Sequence, residues 1–219
     1  CTTKTSILFK RIDKTSENIG FDLIFDGKKN TSFRPKIVKF FSIIHEYCPY
    51  LKDYHLLISS SNSFPHSSGI ASSASSMSAL SLCIMSLEKK LTLIDDDYFF
   101  KKASFISRIG SGSASRSVYG GVNFWGKHKE LNNSSDLYSV KLSKNISPKF
   151  NNYRDVILII DDKEKEVSSS VGHGLMNDNP FSKVRFNAAN NNITKLLQIL
   201  SSGNLNDFCE LVESEALML

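Results

Sequence analysis

The stretch Phe64–Cys83, FPHSSGIASSASSMSALSLC, decides how the rest of the chain reads. It follows an apolar run at His55–Ser61 that predicts a strand, and it turns at Pro65 and Gly69. Beyond the turn Met77, Leu80 and Ile84 recur at helical spacing, which predicts a helix from near Ala71 to Leu87. Its apolar residues lie on several faces, so it belongs in the centre of the molecule. Ser67, Ser68, Ser72, Ser73 and Ser75 line the loop and the first helical turns. Small side chains there leave backbone N–H groups open, and a helix start carries roughly half a positive charge. Together they make a place for phosphate, although serine is also an ordinary helix cap. No Gly-Lys-Ser/Thr follows the glycine, so this is not a Walker loop.

Composition narrows the partners. At 219 residues, 41% of them hydrophobic, the chain can form one large domain or two smaller ones. Lys and Arg number 27 against 22 Asp and Glu, and the balance of +5 is scattered rather than clustered. That suits a small anionic substrate and argues against nucleic acid. No apolar run reaches the length of a transmembrane helix, and no signal-peptide pattern opens the chain. Cys1, Cys48, Cys83 and Cys209 are far apart without a C-x-x-C pair. They read as reduced thiols of a cytoplasmic protein. His45, His55, His66, His128 and His173 lack metal-ligand spacing. The chain starts without Met and stops inside a helical pattern, so the expectation is a fragment lacking both ends.

Along the chain, Thr5–Phe9 and Phe21–Phe25 predict strands whose pairing stays open. Ile37, Phe40, Phe41 and Ile44 form the stripe of a helix that begins near Arg34-Pro35 and that Pro49 ends. Tyr98–Ile109 is helical, and Asp95, Asp96 and Asp97 mark its start rather than a metal site. Gly110–Ser117 is predicted to open a further helix with another anion-binding turn, and Arg116 within it offers a planar fork for carboxylate or phosphate. Gly121–Gly126 and Leu137–Val140 predict strands, and the polar Lys144–Asn152 marks a domain boundary. Val156–Ile160 is expected as a buried strand leading to the Ser-rich loop Lys163–Ser170 and a short helix ending near Met176. Pro180–Ser202 and Leu205–Leu219 are helical, with Ile193, Leu196, Leu197 and Leu200 facing a core and a bend expected at Asn187–Asn192. This order of elements is α+β.

Three motifs carry a more specific resemblance. Pro65–Ala74 resembles the ATP-phosphate loop of the GHMP kinase superfamily. GSGSASRSVYGG (Gly110–Gly121) and VSSSVG (Val167–Gly172) are similar to substrate motifs of the diphosphomevalonate decarboxylase family. The resemblance implies a GHMP kinase-type N-terminal domain over residues 1–147 and part of a ferredoxin-like C-terminal domain over 148–219. It implies ATP and Mg²⁺, with Pro65, Gly69, Ser72 and Ser73 at the nucleotide and Ser73 near the metal. By the same matching, Ser111, Ser113 and Ser169 hold mevalonate 5-diphosphate, and Arg116 clamps its carboxylate and takes part in catalysis. The implied reaction is ATP-dependent decarboxylation to isopentenyl diphosphate by a full-length homodimer, the catalytic base lying outside this chain. Departures from the family pattern are Ile109, Ser115, Ser170 and His173. Alternatives are another GHMP-family enzyme acting on mevalonate or a mevalonate phosphate, or a non-catalytic nucleotide-binding relative.

Overall fold

In β1 (Thr3–Arg11) every second side chain is half-buried as far as Phe9, the pattern of a strand with one covered face. A computed structural model describes residues 1–29, 31–65, 70–142, 145–158, 172, 174 and 178–218. β4 (Tyr54–Asn62) runs antiparallel to β1, with Thr3 opposite Asn62 and Arg11 opposite Tyr54. β2 (Gly20–Phe25) lies parallel along the other side of β4, and β3 (Lys28–Lys29) pairs with β2. The order β1-β4-β2-β3 means that the first two strands are not a hairpin but flank a strand from later in the chain.

The inward residues of this sheet, Phe21, Leu23, Leu56 and Ile58, share one core with the helices above them. α1 (Arg34–Ile44) contributes Ile37, Phe40, Phe41 and Ile44, the stripe expected from the sequence. It stops ahead of Pro49, which instead begins a 3-10 turn, Pro49–Asp53. α2 (Ser72–Leu91) buries Met77, Leu80 and Ile84 together with small residues on its other faces, as a central helix must. α3 (Asp96–Gly110) begins where the Asp95 carboxylate accepts from the Tyr98 amide at 2.7 Å. The aspartate run is therefore a helix start, as expected.

Lys89 near the end of α2 bonds Asp96 at the start of α3 at 2.5 Å, and Lys102 reaches both Glu88 oxygens at 2.8 Å. These ties make the two helices antiparallel, so the start of α2 and the end of α3 lie at the same end of the molecule. The predicted helix after Gly110 is only a 3-10 segment, Gly112–Val118. Such a segment has poor hydrogen-bond geometry and too few residues to sum a dipole, so its side chains must do any anion binding. β5 (Asn123–Trp125) and β6 (Ser139–Lys141) pair antiparallel beside it.

α4 (Ser182–Ser202) and α5 (Leu205–Leu217) pack over Phe150, Ile199 and Leu200, a second and smaller core. α4 is continuous through Asn187–Asn192, where a bend was expected. Partners hold that run: the Asn190 carbonyl accepts from His128 Nε2 at 3.2 Å, and Asn192 donates to Glu215 at 2.6 Å. Of the predicted core residues in α4, Leu200 is buried, while Ile193, Leu196 and Leu197 are half-buried. The strand expected at Val156–Ile160 is not found in its described part. Val156, Ile157 and Leu158 are exposed and irregular, because no described strand pairs with them. Among the described residues no helix is long and apolar enough to cross a membrane, and all four cysteines are free thiols.

Candidate active site

The strand–loop–helix around Pro65 places the first motif. β4 ends at Asn62, exposed Pro65 follows, and α2 opens at Ser72. Ala71, just ahead of the helix, has φ 56°, the left-handed region, and no described side chain caps the helix start. A non-glycine residue held there costs about 1 kcal/mol, and strain of this kind gathers at functional sites. The Ala71 carbonyl accepts from the amides of Ala74 and Ser75. Ser72 is buried and Ser73 half-buried, and Thr3 of β1 bonds the Ser75 hydroxyl, fixing the first turn to the sheet. Gly69 lies outside the described residues.

The structure adds Lys36, which the sequence did not single out. Its ammonium donates to the Ser73 hydroxyl, across from α1 to the first turn of α2. Although Lys36 as a residue is exposed, its ammonium end is enclosed enough that desolvation lowers its pKa below the usual lysine value of 10.5. Among the described residues no carboxylate pairs with it. A desolvated cation beside the positive end of a helix is unfavourable until an anion arrives. Its neighbour Arg34 is differently employed, donating to the Phe21 carbonyl at 3.1 Å and lying over the Phe21 ring. Nothing in the local sequence separates the two cations. Only the packing of α1 across the start of α2 does.

The second motif sits at the same end. Gly110 closes α3, and Ser111 follows with its amide bonded to the Ser107 carbonyl at 3.0 Å. The 3-10 segment is anchored from below by Ser104 of α3. Its hydroxyl donates to the Ser115 carbonyl at 2.7 Å and accepts from the Ser139 amide at 2.8 Å. Ser104, Ser115 and Ser139 are all fully buried, so this hydroxyl joins α3, the segment and β6 in one rigid unit. Above that base Ser111 and Ser113 are half-buried and Arg116 is exposed. No ion pair or hydrogen bond joins the Arg116 guanidinium to a described residue. Trp125 lies over Gly112, its indole N–H bonded to the Asp136 carbonyl at 3.0 Å. Ser169, the third-motif serine, lies outside the described residues.

The described residues thus bring Ser72, Ser73, Lys36, Ser111, Ser113 and Arg116 to one end of the α2–α3 pair. They hold no group of three His, Cys, Asp or Glu suited to a metal ion. The Lys36 ammonium on Ser73 makes that hydroxyl a better neighbour for phosphate than for a bare divalent cation. A groove of about 560 Å³ between Tyr47, Tyr98, Phe105 and Tyr138 opens instead along α3 from its start as far as Phe105, and none of these groups lines it.

A family model for the diphosphomevalonate decarboxylase-like N-terminal domain matches residues 1–137. The diphosphomevalonate decarboxylase of Ganoderma lucidum is 36% identical over 126 residues, 57% of this chain and 29% of that protein. The solved mevalonate diphosphate decarboxylase of Staphylococcus aureus superposes with a TM-score of 0.72 at 26% identity, over 98% of this chain and 60% of that one. A further solved protein, MDDEF in complex with MVAPP, AMPPCP and magnesium, shares the fold at 22% identity and a TM-score of 0.72, over 98% of this chain and 61% of that one. The chain therefore spans under a third of the curated relative and somewhat over half of the solved ones. With its mixed sheet and helices matching those structures, and with residues 1–137 matching the family model, the chain belongs to the diphosphomevalonate decarboxylase-like family.

Proposed function

We propose that the full-length protein carrying this chain decarboxylates mevalonate 5-diphosphate at the expense of ATP. ATP phosphorylates the tertiary 3-hydroxyl; loss of that phosphate with the carboxylate then gives isopentenyl diphosphate, carbon dioxide, ADP and phosphate. The observation that carries this reading is the bond of Lys36 to Ser73 at a helix start that no described side chain caps, at the same end of the α2–α3 pair as the exposed Arg116. Such a reaction asks the protein mainly for positioning and charge neutralisation. Lys36 and the first-turn amides of α2 neutralise and orient nucleotide phosphate, with Pro65, Gly69 and Ser72 shaping the loop. Ser111, Ser113 and Ser169 hold the second substrate, and Arg116 grips its carboxylate through a charge-assisted fork. Magnesium would enter with the phosphates, with the Ser73 hydroxyl as the residue of this chain that would help to hold it, and it would supply further charge neutralisation. The same reading takes the protein as a cytoplasmic homodimer with its domain boundary at residue 147.

The test is a product assay on the full-length protein with ATP and mevalonate 5-diphosphate. Stoichiometric carbon dioxide and ADP support the reading. A phosphorylated product that keeps its carboxylate, or preference for mevalonate or its monophosphate, identifies another GHMP-family enzyme. Nucleotide binding without any turnover identifies a non-catalytic relative.

A further inference from the structure

Gly110 is the last residue of α3 and directly precedes Ser111. Its backbone is not in the left-handed region, unlike Gly27, Gly121, Gly126 and Gly203. Conformation does not require glycine here. Space is what a side chain would contest: a Cβ at Gly110 would stand 2.0 Å from Met77 Cε, 3.0 Å from Cγ and 3.1 Å from Sδ, so the methionine would have to move. Met77 is 3% exposed and belongs to the main core, so a methyl group cannot simply push it into solvent. The side chain of α2 thus seats in a notch that ends α3.

Both helices lead from this contact to the two halves of the candidate site. Met77 stands five residues beyond Ser72, about 7.5 Å along the helix. On the other side, the bonds of Ser104 and Ser107 tie Ser111, the 3-10 segment and β6 to α3. A shift at Gly110 therefore carries Ser111, Ser113 and Arg116 with it. Packed interiors transmit such shifts rather than absorb them.

We propose that the Met77–Gly110 contact is the spacer that sets the nucleotide end of α2 against the Ser111–Arg116 segment, with Met77 a positioning residue. This rests on the function proposed above. Misplacement by about an ångström is enough to cost roughly 10²-fold in rate.

Gly110→Ala, Met77→Leu and the double variant in the full-length protein test it. Leu conserves volume but lacks the terminal methyl that the new Cβ would meet first. Gly110→Ala is expected to bind ATP and mevalonate 5-diphosphate separately with affinities close to the parent's, while kcat falls roughly tenfold or more. The double variant is expected to recover most of that loss. A second reading does not need turnover. Trp125 is the only tryptophan of this 219-residue chain and lies over Gly112; the part of the full-length protein's fluorescence change that a Trp125→Phe control removes reports nucleotide arriving across the spacer. The ATP-induced change should be altered in Gly110→Ala and restored in the double variant. An unchanged kcat in Gly110→Ala overturns the proposal, as does a loss that tracks stability and is not rescued. If the parent releases no carbon dioxide, the reaction assigned above is wrong, and the spacer stands or falls on the Trp125 signal alone. A Trp125 response identical in all variants, including none, then overturns it.

Discussion

The two ends of the α2–α3 pair both carry cations but are finished in opposite ways. At the end where α2 closes and α3 opens, polar groups are satisfied. Asp95 caps α3, Asp96 and Asp97 pair with lysines, and Lys102 is bidentate to Glu88. The four charges that line the nearby groove, Asp95, Asp97, Lys101 and Lys102, are all bonded to protein groups. At the other end no described side chain caps α2, Lys36 has no described carboxylate, and Arg116 has no described partner. A saturated end serves stability. An end left open to anions is the mark of a site, since local rules are broken where function needs them broken.

The largest effect expected from this contrast lies at the saturated end. Glu88→Ala leaves Lys102 mostly buried and unpaired, which costs about 3–5 kcal/mol of stability. Thermal or denaturant unfolding measures it, and the folded fraction should bind ATP as the parent does. The same pair gives a pH signature. Burial is the largest single influence and lowers the Lys102 pKa, but the bonds to Glu88 and Tyr98 and the charges of Glu88 and Cys48 together outweigh it, so the net shift is upward from 10.5. A raised folded-state pKa means that the contribution is fully present below pH 10.5 and is lost as pH climbs through the folded value. Alkaline loosening of this end, read by hydrogen exchange in α3, should vanish in the Glu88→Ala protein.

At the open end the order of effects reverses. Arg116→Ala removes an exposed guanidinium without a partner among the described residues, so its unfolding midpoint should match the parent's. Turnover should fall by about 10²-fold, since a hydrogen bond to a charged group is worth about 1.5–3 kcal/mol. A variant that loses stability but keeps turnover would put Arg116 among the structural residues and erase the contrast. Lys36→Met sharpens it at lower amplitude. Its methylene stem is kept and only the ammonium is lost, so ATP affinity should weaken about tenfold, as measured by calorimetry, with stability unchanged or slightly raised.

How much of this could be read from the sequence differs between the two ends. α2 was legible because its loop motif and the stripe of Met77, Leu80 and Ile84 agree, and Asp95 was legible because helix starts favour acids. Lys36 was not legible. Its contact with Ser73 depends on how α1 crosses α2, a tertiary fact without a local signal. The insertion of β4 between β1 and β2 is likewise set by pairing across more than thirty residues. The apolar run at Val156–Ile160 misled because an apolar run is a strand only where partners exist, and the described part has none. The segment after Gly110 misled in the other direction. Its serines bond to nearby carbonyls, as Ser115 does with Gly112 at 3.0 Å, and so favour a tight 3-10 turn over a helix.

The smallest expected effect concerns the helix that joins the two ends. Ser81 lies midway along α2, fully buried, and its hydroxyl has no hydrogen-bond partner among the described residues. An unsatisfied buried polar group costs about 1–3 kcal/mol, and alanine is also the better helix former by a few tenths of a kcal/mol, roughly. Against that stands the loss of one oxygen's packing in a tight interior. Ser81→Ala should therefore stabilise by about 1 kcal/mol, a rise of roughly 2–4 °C in Tm for a chain of this size. Since neither end is touched, ATP affinity, turnover and the alkaline loosening should stay as in the parent. A fall in Tm would mean that the hydroxyl has a partner in solution, such as an ordered water. A change in ATP affinity at raised stability would mean instead that α2 transmits from its middle to its open start, and the two ends would then be parts of one device rather than separate ones.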